Sequence, residues 1–251
     1  MKRNLMAIIL ALCLLGISLA GAEGSLPSPG EAQGQDPGKA IPEMVTFGRY
    51  PQTAGGKDKT PIEWLVLDYD AANNRALIIS RYGLAAKPYN AKLTEITWED
   101  CTLRTWLNKD FLKTAFTAQE QEGILLTDVD NSRSEGAGWN NKGGNNTQDR
   151  IFLLSAAEAK KYLGVTWDNS NNMKGRISPT AYAQKAGAWT SDSNKTSEGA
   201  AAGLWWLRSP GDRQDLAVTV MEDGTFNYIY VNSTAYCVRP ALWISLESGI
   251  F

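Results

Sequence analysis

The sequence predicts an α+β fold: antiparallel sheets with an N-terminal hairpin, two or more inserted helices, long polar loops and a C-terminal β-meander. Three observations predict it. Towards the C-terminus, Trp205 to Gly211 (WWLRSPG) is answered by Val238 to Ile244 (VRPALWI), with Leu216 to Met221, an Asp223-Gly224 turn and the aromatic-rich run Phe226 to Val231 between them. Short apolar runs punctuated by turn residues read as a meander, here with tryptophans pinning its edges. Near the start, two apolar runs flank Asn73-Asn74, a hairpin signal. Between these regions, apolar residues recur at spacings of three and four, the period of amphipathic helices.

The chain opens with a different kind of segment. Lys2 and Arg3 precede an uncharged apolar run, Leu5 to Leu19, and then the small residues Ala20-Gly21-Ala22. That is the layout of a secretory signal. The run is short for a membrane span, and no second stretch approaches the roughly 20 apolar residues a spanning helix needs. Cys13 lies inside the run, not after the small residues, which disfavours a lipid anchor. The expectation is therefore a signal peptide over 1–22 and a product exported to the periplasm, cell surface or medium. Residues 23–43, rich in proline and glycine, read as a flexible linker. A single domain is expected over 44–251.

Composition narrows the chemistry. Loss of Lys2 and Arg3 with the signal would move the net charge from −2 to −4. Mild acidity disfavours a nucleic-acid partner, which calls for a basic stripe. The chain has no histidine. This removes Ser-His-Asp and Cys-His nucleophile systems, His-ligated zinc and imidazole proton shuttles. Cys101 and Cys237 remain after processing; export permits a disulfide between them. Two separate buried thiols are the other reading, since sequence separation does not set the distance between Cα atoms.

Along the domain, Val45 to Tyr50, Ile62 to Tyr69 and Arg75 to Ser80 read as strands. In the second, Trp64, Val66 and Asp68 share one face and Leu65, Leu67 and Tyr69 the other. Two largely apolar faces suggest cover on both sides. Leu103, Trp106 and Leu107 mark a helix over Thr102 to Asn108, and Phe111 to Phe116 a second helical turn. Thr117 with Glu120 is a capping-box pair for Ala118 to Glu122, and Ser155 with Glu158 is another for Ala156 to Leu163. Ile124 to Leu126 and Ile151 to Leu154 read as short strands. Pro179 starts a helix over Thr180 to Lys185. Three long polar segments interrupt the pattern: Ser134 to Thr147, Thr166 to Gly175 and Gly187 to Gly203. Loops of this length are usually functional or mobile.

Five blocks occur in an order that resembles one family of secreted bacterial proteins. They are Trp98 to Asn108 followed by Ala115-Phe116 (the STLRxWLN…AF pattern), Asp149 to Ser155, Pro179 to Ala183, Trp205 to Gly211 and Val238 to Ile244. The resemblance covers about Val45 to Ser245, to a family catalogued as a domain of unknown function. It implies a C-type-lectin-like fold, of the group that also holds formylglycine-generating-type domains and the variable tip proteins of diversity-generating retroelements. The resemblance implies no activity, and fold alone does not imply one. One departure stands out: the family commonly has glycine just before the VRPAL block, where this chain has Cys237. The Glu-Pro-Asn or Gln-Pro-Asp and Trp-Asn-Asp signatures of calcium-dependent lectins are missing, as is the copper-binding cysteine pair of formylglycine-generating oxidases.

Candidate site residues follow from composition. Tyr228, Tyr230, Asn232 and Tyr236 crowd tyrosine with small polar residues, a mixture that binding surfaces exploit because tyrosine offers area with few torsions to freeze. Trp139, Asn140 and Asn141, and Trp167, Asp168 and Asn169, place the same mixture in two polar loops. The oxygen-rich run Asp168 to Asn172 could hold a hard cation such as calcium. Arg208 and Arg239, in the two signature blocks, read either as a guanidinium pair facing an anion or as structural side chains that stack on tryptophan and bond main-chain carbonyls. Trp205, Trp206 and Trp243 read as packing. Asp212, Asp215, Glu222 and Asp223 read either as paired carboxylates for glycoside hydrolysis or as turn acids, since they sit in turn sequence where acids favour turn geometry and solvent. No catalytic set and no cofactor are expected. The reading is an exported or cell-surface ligand-binding module for a glycan or protein; a structural envelope protein or a carboxylate- or Cys101-dependent enzyme are the alternatives.

Overall fold

The computed structural model describes residues 41–136 and 141–251; the expected signal segment, the linker up to residue 40, and Trp139 and Asn140 lie outside the described residues. Strands β1 (Met44–Tyr50), β2 (Thr60–Asp70) and β3 (Arg75–Ser80) run antiparallel, as the sequence suggests. The β1–β2 connection is organised by Asp58, whose carboxylate accepts from the Thr53 and Thr60 hydroxyls at 2.6 Å and from the Gln52 amide at 2.8 Å. The Asn73-Asn74 turn is longer than a two-residue hairpin. Ala71–Asn73 form a 3-10 turn, and Asn74 closes it in the left-handed region at φ 53°, which asparagine tolerates.

Strand β4 (Ala85–Ala86) is followed by helix α1 (Thr102–Trp106), a π-turn over Leu107–Phe111 and helix α2 (Leu112–Ala115). The two helical pieces expected here are thus one continuous run. Leu103, Leu107, Phe111 and Ala115, four apart, form its buried face. The wide turn holds Asn108, which binds another segment: its Nδ2 donates to the Ile151 carbonyl (2.8 Å), and its Oδ1 accepts from the Arg150 and Ile151 amides (2.8 and 3.1 Å). A bulge in β1 at Gly48 (φ 68°) admits Phe116; a Cβ there would lie 2.5 Å from that ring. Phe47 then packs 5.0 Å from Phe116 and Tyr50 5.0 Å from Phe111, seating the helix on the sheet.

Both capping boxes form, Thr117 with Glu120 on α3 (Ala118–Gly123) and Ser155 with Glu158 on α4 (Ala156–Leu163). For α5 (Ala181–Lys185) the cap is Thr180, whose hydroxyl accepts from the Ala183 amide, so Pro179 stands outside the helix instead of in its first turn. Strands β5 (Thr127–Val129) and β6 (Thr147–Asp149) pair as a ribbon. The strands expected at Ile124 to Leu126 and Ile151 to Leu154 reduce to single bridges, Ile124 to Ile244 and Phe152 to Ala241. A second ribbon, β7 (Thr190–Lys195) with β8 (Ala201–Gly203), fills the segment read as a loop.

The expected meander forms from β9 (Trp205–Pro210), β10 (Leu216–Val220) and β11 (Phe226–Tyr230). The second tryptophan block divides. Its first part belongs to β12 (Cys237–Val238), parallel to β9; after Arg239-Pro240, β13 (Ala241–Ser245) joins the other sheet, with Leu242 opposite Ile78 of β3. The result is a four-stranded sheet ordered β1-β2-β3-β13 and a five-stranded sheet ordered β11-β10-β9-β12-β4. Trp205 and Trp206 are therefore central and fully buried, not edge residues, because β10 and β12 flank their strand. Trp243 is half-buried under the Arg75 guanidinium at 4.3 Å. The outer face of β2 is less covered than its pattern suggests: Leu65 and Leu67 are half-buried.

Candidate functional site

Of the two signature arginines, Arg208 takes the structural reading and holds the scaffold, as does Arg104 of the first block. Arg104 Nε pairs with Asp149 at 2.6 Å; that fully buried carboxylate also accepts from Trp98 Nε1 (2.9 Å) and the Thr147 hydroxyl (2.8 Å). Arg208, with a side chain 2 % exposed, is bidentate to Glu158. It also donates to the Leu153 and Asp130 carbonyls (2.9 Å each) and to Asn131 Oδ1 (3.2 Å). Its ring neighbour is Phe152, 5.8 Å away, not tryptophan. Arg239 fits the structural reading in part. It lies over Trp205 at 4.8 Å and donates Nε to the Ser80 carbonyl at 2.9 Å, but its Nη1 is buried without a hydrogen-bond partner.

The aromatic candidates divide between surface and core. Strand β11 is the edge of its sheet, and alternate residues Phe226, Tyr228 and Tyr230 share one face by the period of a strand. Trp167 meets that face edge-on, 5.5 Å from Phe226 and 6.2 Å from Tyr228. Trp167 is 42 % exposed and Tyr230 44 %, unusual for side chains this large. The Tyr228 hydroxyl hydrogen-bonds Asp212, which pushes its pKa up. Beside Tyr230, Arg213 sits 5.5 Å over the ring and pairs with Asp215 at 2.6 Å. Asn141 joins the same region: its Nδ2 donates to the Gly211 carbonyl at 2.6 Å, and Gly211 backs onto Tyr228, where a Cβ would approach to 2.9 Å.

The structure thus gathers Asn141, Trp167, Tyr228 and Tyr230 into one ledge. Asp168 and Asn169 follow Trp167 on exposed loop, and Asn232 is exposed in the turn after β11. Tyr236 does not belong with them. It is 6 % exposed and stacks on Trp206 at 4.7 Å, so it is a core side chain; the composition of the segment cannot reveal that the chain turns inward there to form β12. Trp139 and Asn140 lie outside the described residues. Arg213 has no signal in the sequence, and Asp212 reads there as a turn acid or one of a carboxylate pair; together they are the polar flank of the ledge.

Metal and nucleophile candidates fare differently. In the Asp168 to Asn172 run, Asp168 accepts from the Thr166 hydroxyl, Asn169 Oδ1 from the Asn171 amide, and Asn172 Oδ1 from the Lys174 amide. Those side-chain oxygens serve the loop's own turns. Among the described residues no three acidic, cysteine or histidine side chains converge as a metal-binding group, and no helix is long and apolar enough to cross a membrane. Cys101 and Cys237 are free and buried. Cys101 caps α1, its Sγ accepting from the Arg104 amide at 3.4 Å, and burial pushes its thiol up to about 12. A nucleophilic cysteine is held in the opposite direction.

A family model described as "Domain of unknown function (DUF6273)" matches residues 73–246. No curated protein and no solved structure matches the chain.

Proposed function

From the premise that this chain belongs to the DUF6273 family, we propose that it is an exported ligand-binding module of C-type-lectin-like fold whose aromatic ledge takes a glycan. The observation that carries the reading is the exposure of Trp167 and Tyr230 side by side with Tyr228 on an edge strand, flanked by Asp212 and the Arg213–Asp215 pair. Flat rings present an apolar body to the C–H faces of a sugar ring, and the carboxylates, guanidinium and amides around them answer its hydroxyls. Rigid aromatic side chains lose little entropy on binding. Supporting the fold, helices are inserted between the N-terminal hairpin and the C-terminal meander, and β13 returns to pair with β3. Supporting export is the signal-like order of residues 1–22.

A glycan array probed with the purified protein tests this. The double substitution Trp167→Ala with Tyr230→Ala is expected to weaken every glycan signal at least tenfold, about 1.4 kcal/mol, with the variant still folded by circular dichroism because both side chains lie at the surface, outside the core. Undiminished binding by the double variant would remove the ledge from the reading. Capture of a protein through the ledge, with no glycan bound, would replace the ligand class.

A further inference from the structure

A cavity of about 590 Å³ lies away from the ledge and shares no residue with it. Its walls are the outer face of β2, the chain just after β3, the end of α4, the 173–178 segment and the turn of the β7–β8 ribbon. Four cationic side chains line it. Arg81 is already neutralised, by Glu63 and by Glu198 at 2.7 Å. Lys174, Arg176 and Arg239 form no ion pair with any described residue. Glu43 is the remaining acid of the lining, so the cavity carries an excess of positive charge.

Six buried side-chain polar atoms among the described residues have no hydrogen-bond partner. Three of them, Arg239 Nη1, Arg176 Nε and Thr196 Oγ1, belong to residues of this one cavity. Buried polar groups are normally paired, so such a concentration needs a reason. The guanidinium groups are also held in place. Arg239 is 1 % exposed, stacked on Trp205 and tied by Nε to Ser80; Arg176 uses Nη1 on the Lys195 carbonyl and Nη2 on the Ser170 carbonyl, at 2.9 Å each. What remains free is two N–H donors that cannot accept and a hydroxyl that can donate. Only an acceptor answers that set, and the unpaired charge asks for an anionic one. Leu65, Leu67, Met173 and Ile177 supply apolar wall beside the donors.

We infer that this cavity binds a small organic oxyanion, a carboxylate or phosphate head on an apolar body, through Arg239, Arg176 and Thr196. Arg239 sits at the point where the chain passes from β12 to β13, between the two sheets, so the scaffold itself aims it. Burial opposes its charge and pushes its pKa down to about 9, and no carboxylate among the described residues pairs with the guanidinium. A bound anion would. The site stands independently of the glycan reading.

The test uses benzoate, hexanoate and phenyl phosphate, each against a neutral counterpart (benzamide, hexanamide, phenol), read by thermal shift and by ligand-observed NMR on the full protein. At least one anion is expected to bind and raise the midpoint while its neutral counterpart does not; carboxylate against phosphate in the panel identifies the head group. Arg176→Gln and Thr196→Val, both at the cavity wall, each weaken that binding at least tenfold, whereas Arg213→Gln on the ledge leaves it unchanged. Arg239→Met abolishes anion binding and raises the midpoint of the ligand-free protein, because an uncompensated buried charge is replaced by an apolar chain of similar length. The inference is overturned if neutral counterparts bind as well as the anions, if no anion binds, or if Arg176→Gln and Thr196→Val bind like the wild type.

Discussion

Arg208→Met separates a structural arginine from a binding one. Substitution strips a donor from three acceptors, the Leu153 and Asp130 carbonyls and Asn131 Oδ1. At about 1 kcal/mol for each acceptor left short, this amounts to ~3 kcal/mol. The ion pair adds about 1 kcal/mol and no more, because the Glu158 side chain is 26 % exposed and water screens it. The methionine returns roughly 1 kcal/mol through apolar burial. The net loss is about 3 kcal/mol, which in a domain of this size lowers the thermal midpoint by roughly 6–12 °C. Circular dichroism on heating and in urea measures it, with the urea midpoint falling and the slope unchanged. Adding Glu158→Gln should cost less in the Arg208→Met background than alone, since the pair is then already broken. A midpoint within about 2 °C of wild type would refute the ledger and return Arg208 to the pool of ligand-facing groups.

Two further predictions concern the cysteines. Burial pushes both thiols up to about 12, from an ordinary value near 9, so between those values the unfolded chain loses protons that the folded chain keeps. Stability is therefore indifferent to these groups below pH 9 and falls above it, by about 1.4 kcal/mol per pH unit for each thiol. Urea titrations at pH 9 and 10 should show the slope, and Cys237→Ala should remove one thiol's share; a flat response would contradict the burial of both. Neither thiol should react with a disulfide reagent until denaturant is added. Gly83→Ala should destabilise by about 1–3 kcal/mol, since its Cβ would fall 2.6 Å from the Cys237 Cβ and 2.7 Å from its sulfur. Cys237→Gly should rescue part of that loss, and strict additivity of the two changes would refute the contact.

What could be read from the chain was local. The capping pairs Thr117/Glu120 and Ser155/Glu158, the β1 to β3 run and the β9 to β11 meander depend on residues within a few positions of one another, and all formed. The departures occurred where a distant segment intervened. Asn108 binds the 150–151 backbone and the helix widens into a π-turn there. Cys237-Val238 pairs with β9 while Ala241–Ser245 pairs with β3, which splits one apolar motif between two sheets. The candidate site divided in the same way. The tyrosines of β11 were legible as a mixture of residue types, yet Tyr236 of the same segment went to the core against Trp206.

By itself the sequence determined the capped helix starts after Thr117 and Ser155, the β1 to β3 and β9 to β11 runs and the absence of histidine, because propensity, capping and composition act over short spans. Only the tertiary structure decided which tryptophans are core and which are surface, that Arg208 finds carboxylates while Arg239 finds none, and that the cationic cavity draws on segments from Glu43 to Arg239. Partner and burial are properties of three-dimensional neighbours, and those neighbours come from strand order, which no short stretch of this chain encodes.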